Sequence, residues 1–315
     1  MFYFFKLPPV WLTGLSHLYY PRMLRKICAG SDAIVVDFPY VYLFGQQSGR
    51  EYILNTHNVE EKLWKNRGLV SRITSYYVRK IERNAIKHAS CVFCCTLEDE
   101  KYFRHDCSLV PKTFKLVPNA LNLRSIERFI HRNAKNVIRD TLGIKKDTTL
   151  ILFSGSSYFA NMESFQFIRE FCSNRSEILR QLKIKFLVVG SVADKIYDTE
   201  FYFSTSTVKN VHSYFSACDA AINPTVSGSG SNIKMSEYIA FKLPIFTTSF
   251  GARGFNLEDK LSCYYFDFNT LDRVFLNAFE EKNRNNSFAM ANRAYSNNVN
   301  LIDMKENILA ANLFL

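Results

Sequence analysis

The sequence lacks the marks of several common protein classes. Its apolar opening, MFYFFKLPPVWLTGL, is short and is interrupted by Lys6, Pro8 and Pro9. It is therefore neither a membrane-spanning segment nor a convincing secretory signal, although an interfacial position is compatible with it. The sequence contains no zinc-finger spacing, RNP-type motif or Gly-rich RNA loop. These absences argue against a module that reads nucleic acid.

A complete zinc site is also missing. Cys91, Cys94 and Cys95 lie in the apolar run SCVFCC, and no second C-x-x-C follows to complete a site. The eight cysteines are predicted to be reduced core thiols of a cytosolic protein rather than disulfides. The acidic run 98–100 is explained by a helix start, where acidic side chains meet the positive end of the dipole. We predict no metal site.

Length and composition indicate an ordinary globular protein of two domains. The chain has 315 residues, more than one hydrophobic core usually supports. Hydrophobic residues make up 47% and charged residues 22% of it, so disorder is not expected to dominate.

Positive charge is concentrated in the first half. The net charge is +11, and residues 1–145 hold 23 Lys and Arg against 12 Asp and Glu, whereas residues 146–315 hold 17 of each sign. A one-sided basic domain implies a polyanionic partner, either nucleic acid or an anionic membrane surface. Because no nucleic-acid module is found, the membrane surface is favoured. The alternative is a basic face that is only solvated.

Residues 225–253, TVSGSGSNIKMSEYIAFKLPIFTTSFGAR, are the most informative stretch. An apolar strand leads into a Gly/Ser run, whose backbone can approach a ligand closely, and then into a helix over 232–242 that Pro244 ends. The N–H groups of residues 230–233 lie at the positive end of the helix dipole and favour an anion.

Lys234 and Glu237 stand one turn apart on this helix and share a face. An ammonium next to the loop suits a phosphate, and a carboxylate one turn deeper accepts hydrogen bonds from sugar hydroxyls. The alternative is an ordinary capped turn followed by an exposed ion pair.

Strand-like and helix-like segments alternate along the chain, which predicts parallel sheets covered on both faces. The predicted strands are 31–37, 51–56, 89–96, 115–117, 149–153, 185–189, 219–223, 245–248 and 264–266, with a turn at 45–49. The other predicted helices are 20–29, 61–87, one that begins after Thr96, 162–169 with Asn161 as N-cap, 213–217, and the tail 271–315.

The run GSGSNIKMSEYIAFKLPIFTTSFGARGF resembles the nucleotide-sugar signature of the family-4 type glycosyltransferases, which have the GT-B fold. The segments that fall where that family places its other motifs are THNVE at 56–60, VPNAL at 117–121, FSGSSYFANMESFQFI at 153–168, FLVVGSV at 186–192 and VHSYFSACDAAINP at 211–224. The resemblance covers about residues 31–265 and is specific as a series of motifs.

The resemblance implies an α/β, GT-B-like fold of two Rossmann-like domains facing a cleft. It predicts an acceptor-side domain at 1–125, a linker at 126–146, a nucleotide-sugar-binding domain at 147–295 and a helical tail at 296–315. The family carries more chain ahead of the segment matched by SDAIVVDF, so the first domain is expected to be shortened.

A retaining, metal-independent glycosyltransferase is the implied activity, with transfer from a nucleotide-diphosphate sugar to a saccharide or lipid-linked acceptor. The expected setting is polysaccharide or glycoconjugate assembly in the cytoplasm, with peripheral association at the inner membrane face, no resident cofactor and no nucleic-acid partner. The alternative is a non-catalytic nucleotide-sugar-binding subunit that has lost part of the acceptor domain.

The predicted site residues lie at strand ends or in the signature stretch. Those expected to bind the donor are Gly155, Ser156, Gly190, Ser229, Gly230, Ser231, Asn232, Lys234, Glu237 and Arg253. By resemblance, Glu237 holds the ribose hydroxyls, and His57 contacts the donor sugar or assists the acceptor. His57 and Lys234 are the predicted catalytic residues. Ser229 stands where the family often has a second glutamate, which implies altered sugar contacts.

Overall fold

The structure, a computed structural model, describes residues 21–65, 69–106, 113–130, 132–228, 230–280 and 284–303. These residues form two compact units. The first comprises the described residues up to Asn119 together with Gly228, Gly230 and Ser231, and the second comprises the remainder from Ala120. Both units are built on mainly parallel sheets, so the predicted α/β class is confirmed.

The first unit contains a four-stranded parallel sheet. Its strands pair in chain order and are β1 (Val35–Asp37), β2 (Ile53–Thr56), β3 (Cys91–Cys94) and β4 (Thr113–Leu116). Parallel neighbours need a crossover connection, and helices supply it. The run SCVFCC is therefore an inner strand, as its continuous apolar character predicts.

Five α-helices accompany this sheet in the described part of the unit. They are α1 (Pro21–Cys28), α2 (Tyr42–Gln47), α3 (Glu60–Lys65), α4 (Leu69–His88) and α5 (Leu97–Asp106). Thr96 caps α5, because its Oγ1 accepts the Asp99 N–H at 3.1 Å. The turn predicted at 45–49 is wrong for its first residues, which belong to α2. Glycine is needed at position 45 of this helix because Tyr52 and Val36 pack where a side chain would lie.

A buried carboxylate joins α3 to α4. Glu82 on α4 accepts the backbone N–H groups of Glu60 at 2.6 Å and Glu61 at 3.1 Å, so it satisfies the first donors of α3. The carboxylates of Glu60 and Glu61 are buried beside it and accept hydrogen bonds from Tyr40 and Tyr102. Burial raises the pKa of Glu82 to about 8, despite the two N–H donors that oppose the shift.

The first unit is expected to lose stability as the pH rises. Between an unfolded pKa of 4.5 and a folded pKa of about 8, the folded state holds a proton that the unfolded state has released. Raising the pH across this window should lower the free energy of unfolding by on the order of 2 kcal/mol, less than the full shift would give, because Glu82 is coupled to the neighbouring Glu60 and Glu61. Urea unfolding at several pH values measures this slope.

Glu82→Gln should flatten the dependence of stability on pH. Glu98→Gln makes the same charge change at an exposed position of α5 and should leave the slope unchanged. Equal slopes in the wild type and in Glu82→Gln would show that Glu82 does not titrate in this range.

The second unit contains a seven-stranded sheet in the order β11-β10-β9-β5-β6-β8-β7. All its pairings are parallel except that of β7 with β8. Its strands are β5 (Thr149–Ser154), β6 (Ile184–Val189), β7 (Tyr197–Asp198), β8 (Tyr202–Ser204), β9 (Ala220–Asn223), β10 (Ile245–Thr247) and β11 (Tyr264–Tyr265). The two short strands β7 and β8 extend one edge and were not predicted.

Helices cover both faces of this sheet, and an apolar cluster lies under each. The helices are α6 (Leu123–Glu127), α7 (Arg132–Thr141), α8 (Phe159–Asn174), α9 (Ser176–Gln181), α10 (His212–Phe215), α11 (Ile233–Ala240), α12 (Leu271–Phe279) and α13 (Arg284–Ile302). Strands β5, β6 and β9 are almost entirely buried. Their sequences are therefore continuous apolar runs rather than alternations of apolar and polar residues.

The linker predicted at 126–146 instead belongs to the second unit. It contains the end of α6 and the whole of α7, and Arg139 ties α7 to the sheet. The buried Arg139 guanidinium pairs with Asp219 and donates to the Ala217 and Thr148 carbonyls. Asp219 also accepts the Leu150 N–H at 2.8 Å. The segment looked like a linker because it is polar, but its polar residues make these internal contacts.

The predicted tail boundary at 296 falls inside α13, which runs to Ile302 and packs on the second unit. Residues 304–315 lie outside the described residues. None of the helices in the described ranges is long and apolar enough to cross a membrane. The cysteines that the structure describes are all free thiols, as predicted, and Cys107 lies outside the described residues.

Candidate functional site

The carboxyl ends of the parallel strands β5, β6, β9 and β10 lie along one edge of the second sheet. Ligands of open α/β sheets bind at this edge. The chain leaves it through short turns at Gly155 after β5 and Gly190 after β6, and through the polar segment after β9. Two predicted site residues, Gly155 and Gly190, therefore lie at the expected edge.

Two glycines make the first turns interlock. Gly155 N–H donates to the Val189 carbonyl at 3.0 Å, and the Gly155 carbonyl accepts the Val192 N–H at 3.1 Å. Gly190 has a φ of +110°, and a Cβ there would lie 2.4 Å from the Gly155 carbonyl oxygen. Only glycine allows this approach without strain. The Ser191 Oγ accepts the Ser157 N–H at 3.1 Å and links the same two turns.

Asn161 is the residue that sequence reasoning placed incorrectly. It was predicted as an N-cap, but α8 begins at Phe159 and Asn161 lies inside its first turn. Its side-chain amide donates back to the Ser156 carbonyl at 3.1 Å, and its Oδ1 accepts a hydrogen bond from Lys234 Nζ at 2.6 Å. Asn161 therefore connects the turn after β5 to the predicted phosphate lysine.

Lys234 lies in the first turn of α11 and is partly buried. Its ammonium is 4.4 Å from the centroid of the Phe153 ring. Burial lowers the pKa of Lys234 to about 7, and the nearby Glu237 carboxylate opposes part of that shift. Neither the amide oxygen of Asn161 nor an aromatic face carries a full negative charge. The site thus holds a desolvated amine whose charged form an anionic ligand would stabilise.

A buried polar network supports the loop that leads to α11. Asn223 Nδ2 and Asn232 Nδ2 both donate to the Gly251 carbonyl, at 3.1 and 3.0 Å. Thr225 Oγ1 donates to Asn223 Oδ1 at 2.7 Å, and Thr248 Oγ1 accepts the Gly251 N–H at 2.8 Å. Asn232 occupies the N-cap position of α11 but makes no side-chain cap. Its amide instead anchors the loop to Gly251.

Glu237 is held by a histidine that sequence reasoning did not select. His212 Nε2 lies 3.0 Å from Glu237 Oε1, and both side chains are mostly buried. The ring of His212 packs near those of Phe129, Phe215 and Phe241. The pair is separated by 25 residues, so no local pattern could reveal it. Its only sequence signal is the position of His212 in the VHSYF motif.

A second carboxylate also approaches this loop. Ser227 Oγ donates to Glu163 Oε2, and Glu163 lies in the first half of α8. Arg253, one of the residues predicted to bind the donor, donates to the Phe250 carbonyl at 2.8 Å and lies over the Phe250 ring. Ser229 lies outside the described residues. The contacts of Arg253 thus show how it is held locally, and its role at the donor site stays a prediction.

Gly228, Gly230 and Ser231 group with the first unit. Gly230 has a φ of +69°, and a Cβ there would lie 2.3 Å from the His57 carbonyl oxygen. Ser231 Oγ accepts a hydrogen bond from Asn119 Nδ2 at 3.0 Å. Within this unit, therefore, the predicted residues Gly230 and Ser231 lie beside the THNVE and VPNAL motifs.

His57 follows β2 and faces an acidic partner. Its Nε2 is 3.1 Å from Asp37 Oδ1, which also accepts a hydrogen bond from Asn55 Nδ2 at 2.7 Å. The carboxylate favours the tautomer with the proton on Nε2 and leaves Nδ1 as an acceptor. The Phe38 ring is tilted against the His57 ring with the two centroids 4.5 Å apart, and Phe38 has an unusual φ of +68°. Asp37 was not selected from the sequence because its partner lies on the neighbouring strand.

The described residues include no group of three or more His, Cys, Asp or Glu side chains that could hold a metal ion.

Solved structures provide the clearest comparison. No protein-family model matches the sequence, and the sequence has no match among the curated proteins. Sucrose-phosphate synthase from Thermosynechococcus elongatus aligns with 92% of this chain and 75% of its own, at a TM-score of 0.69 and 13% identity. Anabaena HepE in complex with UDP and glucose aligns with 92% of this chain and 79% of its own, at a TM-score of 0.70 and 10% identity.

WaaG, a glycosyltransferase involved in lipopolysaccharide biosynthesis, is also similar. It aligns with 90% of this chain and 78% of its own, at a TM-score of 0.64 and 19% identity. At these identities the likeness concerns the fold. The predicted fold is confirmed, since this chain has the GT-B fold found in these glycosyltransferases.

Proposed function

We propose that this protein is a glycosyltransferase that takes its sugar from a nucleotide-diphosphate sugar. One observation carries the proposal: a lysine of lowered pKa, held by Asn161, lies in the first turn of α11 at the ligand-binding edge of the second sheet. The fold supports it, because HepE, which shares the fold, was solved with UDP-glucose.

The proposed chemistry is stabilisation of the departing nucleoside diphosphate. As the sugar leaves, negative charge grows on the diphosphate, and Lys234 and the N-terminal end of α11 supply positive charge. Because Asn232 does not cap α11 with its side chain, the first N–H groups of the helix are proposed donors to the phosphates. A metal ion and a resident cofactor are not required by this arrangement.

The proposed role of Glu237 is to accept hydrogen bonds from the ribose hydroxyls. His212 orients the carboxylate, and a carboxylate can accept from two neighbouring hydroxyls at once. The remaining predicted donor residues, Gly155, Ser156 and Gly190, would bring backbone close to the ligand.

His57 is proposed to contact the transferred sugar or to assist the acceptor hydroxyl. A hydrogen bond from Nε2–H to Asp37 would leave Nδ1 as the proton acceptor. The family resemblance supports transfer with retention to a saccharide or lipid-linked acceptor. The basic excess of the first half supports a site of action in the cytoplasm at an anionic membrane surface.

A binding titration with UDP, GDP and their common sugars tests this proposal. Glu237→Ala is expected to weaken nucleotide binding about tenfold, because two hydroxyl contacts to a charged acceptor are lost. The wild type should also bind 2′-deoxy-UDP more weakly than UDP, whereas Glu237→Ala should bind the two alike. Calorimetry measures all four affinities.

Glu170→Ala, on an exposed face of α8, is the control and should bind like the wild type. If no nucleotide binds to the folded wild type, the proposal fails. Binding without sugar transfer to any saccharide or lipid-linked acceptor would favour the non-catalytic binding subunit instead. If Glu237→Ala still discriminates 2′-deoxy-UDP, Glu237 does not hold the ribose.

A further inference from the structure

The outer face of α4 carries large apolar side chains in an exposed position. Ile73, Tyr76 and Tyr77 are 64%, 67% and 57% exposed, and the two tyrosine rings lie edge to face at 5.8 Å. Positions i, i+3 and i+4 of a helix share one face. These three residues therefore form one apolar patch at the N-terminal half of the helix.

The same face continues as a cationic surface. Lys80 and Lys87, seven and fourteen positions after Ile73, are exposed and return to the same side of a helix with 3.6 residues per turn. The helix has one carboxylate, Glu82, and it is buried on the opposite side against α3. No acidic side chain of α4 therefore offsets the two lysines. We call this surface, made of Ile73, Tyr76, Tyr77, Lys80 and Lys87, the α4 outer face.

We propose that the α4 outer face docks on the surface of an anionic lipid bilayer. Tyrosine rings suit the headgroup region, where one end of the ring is apolar and the other is wet. The lysines extend toward lipid phosphates while their aliphatic stems cover apolar surface. An interfacial helix combines apolar and aromatic residues with Lys or Arg in this way.

The small number of lysines and the exposed Ile73 side chain favour a bilayer over nucleic acid. Nucleic-acid affinity depends on neutralising many phosphates, and this face offers two lysines. The neighbouring Arg79 is engaged with Glu61 on α3. The exposed aliphatic side chain of Ile73 gains little from a phosphate backbone, whereas the acyl boundary of a membrane would remove it from water. A membrane surface satisfies both kinds of chemistry together.

Co-sedimentation of the full chain with vesicles tests this inference. Vesicles of phosphatidylcholine with phosphatidylglycerol should bind the protein, and pure phosphatidylcholine vesicles should bind it much less. Raising the salt from about 0.1 M to about 1 M should release it, because the screening length falls from about 10 Å to about 3 Å. Lys80→Glu combined with Lys87→Glu should lower partitioning at least about tenfold.

Ile73→Ser combined with Tyr76→Ser should also lower partitioning about tenfold, because buried apolar area is lost. Two matched controls should bind like the wild type. Lys145→Glu with Lys146→Glu makes the same charge change at exposed positions of the second unit, and Ile196→Ser replaces an isoleucine that is also 64% exposed. Thermal unfolding verifies that each variant folds.

Three results would overturn the inference. The first is no preference of the wild type for anionic vesicles, or equal losses in the α4 variants and the matched controls. The second is strong binding of the wild type to single-stranded RNA that Lys80→Glu with Lys87→Glu abolishes, while vesicle binding persists. The third is a change in oligomeric state on replacing Ile73 and Tyr76, which would show that a second copy covers the face. Nucleotide binding is measured separately, so failure here leaves the proposed activity intact.

Discussion

Lys234→Met is expected to lower the rate of sugar transfer roughly 100-fold or more, the cost of removing one preorganised donor from a developing anion. Methionine keeps an unbranched chain that can pack over the Phe153 ring, so the substitution removes mainly the charge. The reason for the large effect is the environment of the ammonium. It is desolvated, its hydrogen bond is to the neutral Asn161 amide, and the nearby Glu237 carboxylate opposes only part of the effect of burial, so the diphosphate would add a full counter-charge.

The same residue predicts a pH dependence of donor binding. Since burial lowers the pKa of Lys234 to about 7, the free protein carries progressively less charge there as the pH rises above about 7. Binding of an anionic diphosphate favours the protonated lysine. Affinity for a nucleotide sugar should therefore fall as the pH rises from about 7 to about 9, with uptake of about one proton on binding.

Calorimetry in buffers of different ionisation enthalpy measures that proton uptake. A nucleotide sugar is a better probe than UDP, because the terminal phosphate of UDP titrates near pH 6, as phosphate monoesters do. Lys234→Met should bind weakly and without the pH dependence, and Lys209→Ala, at an exposed position of the same unit, should behave like the wild type. An unchanged pH profile in Lys234→Met would rule out Lys234 as the titrating group.

Gly190→Ala is expected to destabilise the second unit by about 3 kcal/mol or more and to abolish nucleotide binding. The φ of +110° is strained for alanine, and its Cβ would lie 2.4 Å from a backbone oxygen of Gly155. Backbone cannot rotate away as a flexible side chain can, so the turns after β5 and β6 must separate. Strain at such a φ and overpacking each cost about 1–3 kcal/mol.

Gly143→Ala provides the matched comparison. Gly143 also has a positive φ, +64°, but no atom lies within 4 Å of the Cβ position. This variant should cost only about 1 kcal/mol, the price of the backbone conformation, and should bind nucleotide normally. Urea unfolding of both variants separates the two contributions. Equal destabilisation would mean that the contact with Gly155 is not what requires glycine at position 190.

The strands and the signature helix could be predicted because their signals are local. The apolar runs of β5, β6 and β9 are continuous, since both faces of these strands are buried. Helix α11 could be predicted from the Gly/Ser run that precedes it and from Pro244, which follows it. Hydrophobic periodicity and turn chemistry act within a few residues, so both features are visible without tertiary structure.

The errors have a different physical origin. Residues 126–146 resembled a linker because they are polar, yet Arg139 has its partners at Asp219 and in the backbone near Thr148. Asn161 resembled an N-cap because asparagine is frequent there. Its side chain instead connects the Ser156 carbonyl to Lys234. In both cases the side chain is polar, as the sequence shows, but its hydrogen-bonding partner lies far away in the sequence and could not be identified from local patterns.

The sequence by itself determined the α/β class, the Gly/Ser loop before a helix, and the presence of Lys234 and Glu237 on one face of that helix. These depend on backbone conformation and on spacing within a few turns. Only the tertiary structure decided which groups hold them: Asn161 and Phe153 for Lys234, His212 for Glu237, and Asp37 for His57. Each of these partners lies on another strand or helix, and packing of the two sheets with their helices, rather than local preference, brings it into contact.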